Sequence, residues 1–303
     1  MSRLESTLGL AGQPRLQRGL FSSVRHAINS GVADPAIIVD TLEKWFPPAL
    51  SGWRTFLQPF ARPTAPALQG ISLEIKQGES VALLGANGAG KTTLLRILAT
   101  LLLPTRGTAS LAGHDTSREP AAVRREIGYH AGSDLGFYAR LTGRQNLLFF
   151  GRLNHLPDKF SSSRIETLTE RFGLNRVLDR QARALSSGTI QRLSLVRALL
   201  HQPKVLLLDE PTRSLDAIAA ADFRHFLKTE VLSRKNTSLL FASHTMQEIE
   251  LLADRVAILD EGKLLAFDTP TALRARTLSS SLEEAFARLT GHHLYSAVEP
   301  APE

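Results

Sequence analysis

The chain has no cysteine. A disulfide framework and a thiolate metal site are thereby excluded. The absence agrees with a reducing compartment without demonstrating one. Long apolar runs are also missing. The greasiest stretches are residues 94–103, interrupted by Arg96, and residues 205–208. Neither approaches the roughly 18 apolar residues that a membrane-crossing helix requires. The first residues carry no continuous apolar core of the signal-peptide kind. The expectation is a chain that does not cross a membrane by itself. No internal repeat and no sustained low-complexity tract is visible.

What is present is ordinary for a globular protein. Hydrophobic residues make up 43% and charged residues 21% of 303 positions. That length suffices for one large core or two modest domains. The net charge is +7 and the pI about 10.0. This balance favours polyanions, meaning nucleic acid, anionic lipid or phosphate ligands. A generally basic, well-solvated surface explains it equally well.

Residues 1–36 differ from the rest. Leu16, Leu20, Phe21, Val24 and Ile28 fall near one helical face, with Arg15, Arg18 and Arg25 largely elsewhere. They read as a basic amphipathic helix for a membrane surface or a partner, or as a loose extension. A strand is expected to start at residues 36–39. Residues 47–66 hold Pro, Trp and Phe and read as a long loop or insertion. Residues 71–75 alternate as a half-buried strand should. Ser80–Leu84 reads as a short apolar strand, followed by a glycine-rich loop and a helix over residues 92–103, ended by Pro104. Residues 118–200 carry Arg, Leu and Ala at helical spacing. Residues 205–208 form a continuous apolar run, as in a fully buried parallel strand. Residues 238–242 and 255–259 are two further strands. Strands alternating with helices predict a mostly parallel α/β sheet.

Gly85-Ala86-Asn87-Gly88-Ala89-Gly90-Lys91-Thr92 fits the phosphate-loop pattern. Glycines let the loop curl so that backbone N–H groups face phosphate oxygens. The helix that begins near Thr92 and Thr93 adds its positive N-terminus. Lys91 would reach the β- and γ-phosphates, and the Thr92 hydroxyl is a hard ligand for Mg²⁺. The fixed positions co-occur by chance in roughly one chain in a hundred of this length. A preceding apolar strand and a following helix make a bare glycine turn the weaker explanation.

Asp209-Glu210 ends the apolar run at 205–208. Ligands bind at the carboxyl ends of strands in open α/β sheets. Asp209 would hold Mg²⁺, and Glu210 would polarise an attacking water. Alone, such a pair could simply cap the helix after Pro211.

These residues resemble the nucleotide-binding domain of ABC transporters over roughly residues 37–291. Leu185-Ser186-Ser187-Gly188-Thr189-Ile190-Gln191-Arg192 is similar to the ABC signature, usually Leu-Ser-Gly-Gly-Gln. Ser187 and Thr189 depart from it, while Ser186 and Gly188 are retained. An ordinary N-capped helix is the alternative. Ser243-His244 looks like the switch histidine that bonds the γ-phosphate. Ser214-Leu215-Asp216 looks like the loop that crosses the dimer interface. Phe46 aligns with the aromatic that stacks on adenine, with Trp45 as the other candidate. The family's glutamine after an Ile-Gly-Tyr-like strand, which links Mg²⁺ to the membrane partner, is replaced by Gly132. Ser133, Asp134 or a water are the candidate substitutes. Residues 137–146 and the segments 281–286 and 289–291 resemble bacterial exporters whose ATPase and membrane subunits are separate chains.

The resemblance implies a P-loop NTPase fold of the ABC type. It would have a mostly parallel sheet core, a small antiparallel β part and a helical subdomain near residues 118–200. The ABC ATPase domain would span residues 37–291, between an N-terminal extension and a tail at 292–303. It implies ATP and Mg²⁺ as ligands, with Glu210, His244 and Lys91 as the catalytic group. The phosphate loop with Thr93, Phe46, Ser186, Gly188 and Asp216 would contact nucleotide, and Thr92 with Asp209 the metal. It implies a second copy in an ATP sandwich, a separate transmembrane permease and a peripheral place on the cytoplasmic face of the inner membrane. Anionic lipid is a further candidate surface, and nucleic acid is not expected as a partner. The rival readings are a soluble ABC ATPase acting on ribosome or nucleic acid, and a nucleotide-gated subunit with little hydrolysis. The missing glutamine motivates the second.

Overall fold

The structure is a computed structural model, and it describes residues 34–46, 66–132, 136–233 and 236–291. The basic helix expected within residues 1–36 and nearly all of the 47–66 insertion lie outside the described residues, as do Ser133 and Asp134.

Two sheets organise the described residues. The first has four strands, β1 (Ile37–Trp45), β2 (Pro66–Ile75), β4 (Arg106–Leu111) and β5 (His114–Asp115), in the order β2-β1-β4-β5. Its pairings are antiparallel throughout. The second has six strands. They are β3 (Ser80–Leu84), β6 (Ile127–His130), β7 (Val205–Asp209), β8 (Ser238–Ala242), β9 (Arg255–Asp260) and β10 (Lys263–Asp268), in the order β10-β9-β3-β8-β7-β6. All its pairings are parallel except that of β10 with β9.

The strands β3, β7 and β8 are buried at every position. This is what their unbroken apolar runs require of central parallel strands. Their side chains alternate between two cores. Leu206, Leu208, Leu239 and Phe241 join the core that includes Leu193, Val196 and Phe223. Val205, Leu207, Leu240 and Ala242 join the core that includes Leu94, Leu98 and Ile37. The helices lie on both faces, which is why neither face alternates with polar residues.

The α-helices among the described residues are α1 (Lys91–Leu98), α2 (Pro120–Glu126), α3 (Gly143–Leu153), α4 (Asp158–Arg171), α5 (Ser187–Leu199), α6 (Ala217–Phe226), α7 (Met246–Leu252), α8 (Pro270–Thr277) and α9 (Leu282–Thr290). The helix expected over 92–103 ends at Leu98 instead. Thr100 takes a φ of 61°, which breaks the helical path before Pro104 is reached. Leu101 and Leu103 are left exposed at 61% and 65%. Periodicity also missed β4, β5 and β10, whose short half-exposed stretches carry no clear alternation.

The region 118–200 holds α2–α5, but it also contains β6. Thr142 caps α3, accepting from the Gln145 amide while the Gln145 side chain accepts from the Thr142 amide. This reciprocal cap satisfies two N-terminal donors that a helix otherwise leaves free. Asn146, fully buried on α3, donates to the carbonyls of Tyr138, Leu141 and Thr142 and accepts from the Tyr138 amide. One side chain thus folds the loop 138–142 onto its helix.

Candidate active site

Register places the site. Asp209 stands opposite Ala242, and Ala242 opposite Leu83. The carboxyl ends of β3, β7 and β8 therefore lie side by side. Each delivers one expected segment, namely residues 85–92, Asp209-Glu210 and Ser243-His244.

The loop after β3 closes on α1 through Gly90, whose φ is 104°. A Cβ there would lie 2.6 Å from the Ala67 carbonyl oxygen. Both the backbone angle and the contact demand glycine. Lys91 is only 7% exposed. Its Nζ donates to the carbonyls of Gly85 at 2.6 Å and Ala86 at 3.1 Å. Burial pushes its ammonium down from the ordinary lysine range, and the carboxylates of Glu210 and Asp209 oppose that shift. Asp209 is 6% exposed. Burial pushes its carboxyl up, and a hydrogen bond from the Thr92 side chain works against this.

Glu210 has a φ of 49°. A non-glycine residue in that region carries strain of order 1–3 kcal/mol, and such residues cluster at functional sites. Its Oε2 lies 2.6 Å from His244 Nδ1. The cleft beside it measures about 350 Å³ and is lined by residues 86–93, Arg96, Ala131, Gly132, Asp209, Glu210 and Arg213. Mixed charges, two hydroxyls and a run of backbone amides suit a polyphosphate.

Not every expected residue joins this cleft. Phe46 is 42% exposed and lies under Lys44, whose Nζ is 5.2 Å from the ring centroid. Trp45 donates its indole N–H to Glu43 at 3.3 Å. Neither lines the cleft. Ser186 caps α5, its Oγ accepting from the Thr189 amide at 3.3 Å. Asp216 caps α6, accepting from the Ala219 amide at 2.9 Å. Ser186, Gly188 and Asp216 do not line the cleft of the phosphate loop. A Cβ on Gly188 would be 3.2 Å from the Ser214 carbonyl, so the signature turn adjoins the loop before Asp216. A larger cleft, about 520 Å³, lies between α4, α5 and α6 and contains Asp216 alone among the expected site residues.

Gly132 has a physical explanation. Its φ is 64°, and a Cβ there would stand 2.4 Å from the Asp209 carbonyl oxygen. A glutamine has no room unless the backbone moves. Gly132→Gln is expected to destabilise the chain by about 2 kcal/mol or more, from the left-handed backbone and the clash together. Thermal unfolding checks this. An unchanged melting temperature would show that the chain relaxes there and that sterics do not explain the glycine.

Three residues lining the cleft carried no sequence signal, namely Arg96, Ala131 and Arg213. Glu248 was missed as well. It is fully buried, accepts from Ser243 Oγ at 2.6 Å, and lies 3.5 Å from Thr212 Oγ1. Its Oε1 has no partner. It ties the residue before His244 to the segment after Glu210. Only an odd acid on the apolar face of α7 marked it in the sequence.

Burial pushes the Glu248 carboxyl above its ordinary value of 4.5, against the Ser243 hydrogen bond. The sign follows from linkage. The unfolded chain releases this proton first, so the folded chain loses stability as pH rises from the ordinary value through the raised one. Glu248→Gln removes that penalty and keeps an acceptor for Ser243. The variant should gain in melting temperature over the native chain on going from acidic to mildly alkaline buffer. A difference that does not change with pH would refute the assignment.

A phosphate loop after β3, two acids at the end of β7 and a histidine just past β8, the strand between them, define a nucleoside-triphosphate-binding α/β protein. The comparisons with known proteins narrow the class. A family model described as ABC transporter matches residues 68–213. The ABC transporter ATP-binding protein NatA of Bacillus subtilis (strain 168) is 41% identical over 199 residues, covering 66% of this chain and 80% of NatA. The daunorubicin resistance ATP-binding protein DrrA3 of Streptomyces coeruleorubidus is 40% identical over 211 residues, covering 70% of this chain and 66% of DrrA3. A solved structure described as the ATP-binding subunit of an ABC transporter superposes with a TM-score of 0.72 at 25% identity, covering 84% of this chain and 99% of that one. The chain belongs to the ABC transporter ATP-binding family. It is an ATP-binding, ATP-hydrolysing transporter subunit.

Proposed function

We propose that two copies of this chain bind two ATP molecules between them and drive a separate transmembrane permease in the direction of export. The observation that carries this reading is the split between the two halves of the site. The phosphate loop and Glu210 share one cleft, while Ser186 and Gly188 lie outside it on the surface that also bears Ser214 and Asp216. A signature turn that does not line the cleft of its own phosphate loop can serve that of a second copy. A closed pair with two identical sites satisfies this.

The residues fit Mg²⁺. Thr92 and Asp209 offer a hydroxyl and a carboxylate in direct contact, both hard oxygen donors. Bound there with the triphosphate, the ion would neutralise phosphate charge. The protein's own part is distinct. The loop amides and Lys91 hold the β- and γ-phosphates. Glu210 orients a water and takes its proton as the water attacks the γ-phosphorus and the bond to the β-phosphate oxygen breaks. His244, 61% exposed on its side chain, holds Glu210 until nucleotide arrives and then contacts the γ-phosphate. Ser186 and Gly188 of the second copy close over that phosphate. Phe46 or Trp45 supplies a stacking surface for the base.

Among the described residues no helix is long and apolar enough to cross a membrane. In this reading motion passes to another chain, in keeping with relatives named as ATP-binding proteins of ABC transporters. A groove lined by Leu101, Arg124, Arg125, Tyr129, Phe150 and Leu153 suits a docking helix of the permease. Its exposed leucines are the ones that α1 and α3 leave uncovered. Export follows the names of relatives such as DrrA3, a daunorubicin resistance protein. Residues 37–291 would form the ATPase domain, and the arginines of residues 1–36 would favour an anionic lipid face.

The test is Mg²⁺-dependent ATP hydrolysis by the purified chain, alone and with its permease, together with sedimentation in ATP. Hydrolysis with an ATP-dependent dimer supports the reading. ATP binding without hydrolysis, even with the permease present, would leave a nucleotide-gated subunit instead.

A further inference from the structure

A buried polar chain runs through the molecule beside the site and has no part in the chemistry above. His130, the last residue of β6, is fully buried. Its Nε2 lies 3.0 Å from the Gln191 side-chain nitrogen, and its Nδ1 lies 3.0 Å from Ser194 Oγ. Gln191 and Ser194 are 1% and 2% exposed on α5, the helix that the signature turn begins. The Gln191 amide also points at the carbonyl of Pro211, 3.5 Å away and next in sequence to Glu210. At the other end, Arg197 Nη2 donates to Ser194 Oγ at 3.2 Å. Its guanidinium stands 5.0 Å from the Phe137 ring centroid and 4.9 Å from that of Phe150. Phe150 and Arg197 both line the groove between α1, α2 and α3.

We propose that His130, Gln191, Ser194 and Arg197 are positioning residues that carry movement between the catalytic strand end at Pro211 and the aromatic wall of that groove. The proposal rests on the functional reading above, because it needs nucleotide at the cleft. Its logic is steric and electrostatic. Position 132 has no room for a side chain, so the link that the family resemblance assigns to a glutamine there must be made elsewhere. His130 stands two residues earlier, inside the core rather than in the cleft.

The polarity of the chain is defined at every step. Burial beside Arg197 pushes the His130 imidazole down to about 3, so it is neutral at ordinary pH. The Gln191 amide donates to Nε2, which leaves the ring proton on Nδ1 for Ser194. Ser194 Oγ in turn accepts from both His130 and Arg197. Each group satisfies the next, and none can shift without orphaning a neighbour. Such a chain has one low-energy arrangement. A displacement of Pro211 as Glu210 exchanges His244 for nucleotide is therefore passed on rather than absorbed. Arg197 converts it into movement of Phe137 and Phe150, since a cation held over two rings moves with them.

The test is hydrogen–deuterium exchange of the full chain, with and without a non-hydrolysable ATP analogue and Mg²⁺. The readout is the exchange of the α3 amides near Phe150 and Leu153. In the native chain the analogue is expected to change that exchange by about 10-fold or more, although none of these amides touches the phosphate cleft. Ser194→Ala, His130→Leu and the double variant should each lose most of that response, and the double variant no more than the single ones. Their affinity for the analogue should stay within about 2-fold, since no altered side chain lines the cleft. His130→Gln, which can still accept from Gln191 and donate to Ser194, should restore part of the response. A merely structural role would lower the melting temperature and leave the α3 response intact, and that result overturns the proposal. Should His130→Leu fail to fold, Ser194→Ala decides alone, because it removes one oxygen and no packing. An α3 response absent from a native chain that binds the analogue overturns the relay only. A native chain that does not bind the analogue overturns the functional reading and the relay with it.

Discussion

Glu210→Gln is expected to lower ATP hydrolysis by about 10²–10⁴-fold while leaving ATP binding intact. That range is what a positioned general base contributes. The substitution keeps the side chain's size and one acceptor oxygen, so the turn at φ 49° and the contact with His244 can persist. What is lost is the capacity to take a proton. The amide also removes one of the two carboxylates beside Lys91. That lessens repulsion of the triphosphate, and the ATP-bound pair should outlive that of the native chain. Turnover measured beside sedimentation in ATP separates the two effects. Activity within a few-fold of native would remove Glu210 from the chemistry and leave it a partner of His244.

Lys91→Ala should act on binding first. A hydrogen bond from a buried cation to a phosphate contributes about 1.5–3 kcal/mol. Its loss corresponds to about 10–150-fold weaker ATP binding. Two features push the effect to the upper end. Lys91 also holds the carbonyls of Gly85 and Ala86, so the loop loses its internal brace. Asp209 and Glu210 lose a neighbouring cation and face the phosphates with less positive charge beside them. Titration calorimetry with ATP and Mg²⁺ measures the change. Affinity equal to native would show that residues 85–92 do not cradle phosphate.

The elements that sequence reading placed best are the ones that a single local rule dictates. Ser80–Leu84 and Ser238–Ala242 match the expected strands end for end. Both are unbroken apolar runs between turn residues, and the core on each face accepts no other pattern. The α1 helix was found but overextended, because Leu101 and Leu103 continue its apolar character. Both are exposed instead, and Leu101 lines a groove that a window of sequence cannot reveal. The antiparallel strands β4 and β10 were invisible for a related reason. Their side chains are only partly buried, and the alternation fades.

The site divides along the same line. Lys91, Thr92, Asp209 and Glu210 were legible because the chemistry of a triphosphate demands those residue types at fixed short spacings. His244 was legible once the strand before it was placed. Arg96 and Arg213 were not, because a surface arginine has no periodicity of its own and only the fold turns it toward the cleft. Gly132 was noticed as a missing glutamine, but the sequence offered no reason for it. The reason is the Asp209 carbonyl, which belongs to a strand 77 positions further on and is brought there by the pairing of β6 with β7.

By itself, then, the sequence determined the class of fold, the phosphate loop, the acidic strand end and the capped helix at Ser186. Each is a local pattern in which neighbouring residues solve one problem of burial, curvature or charge. Only the tertiary structure decided which of those pieces share a cleft, why no side chain stands at position 132, and that His130 meets Gln191 across 61 positions. Contacts of that range depend on strand register and on how α5 packs against β6. Register is a property of the assembled sheet, where shifting one strand by a single residue turns every side chain to the opposite face.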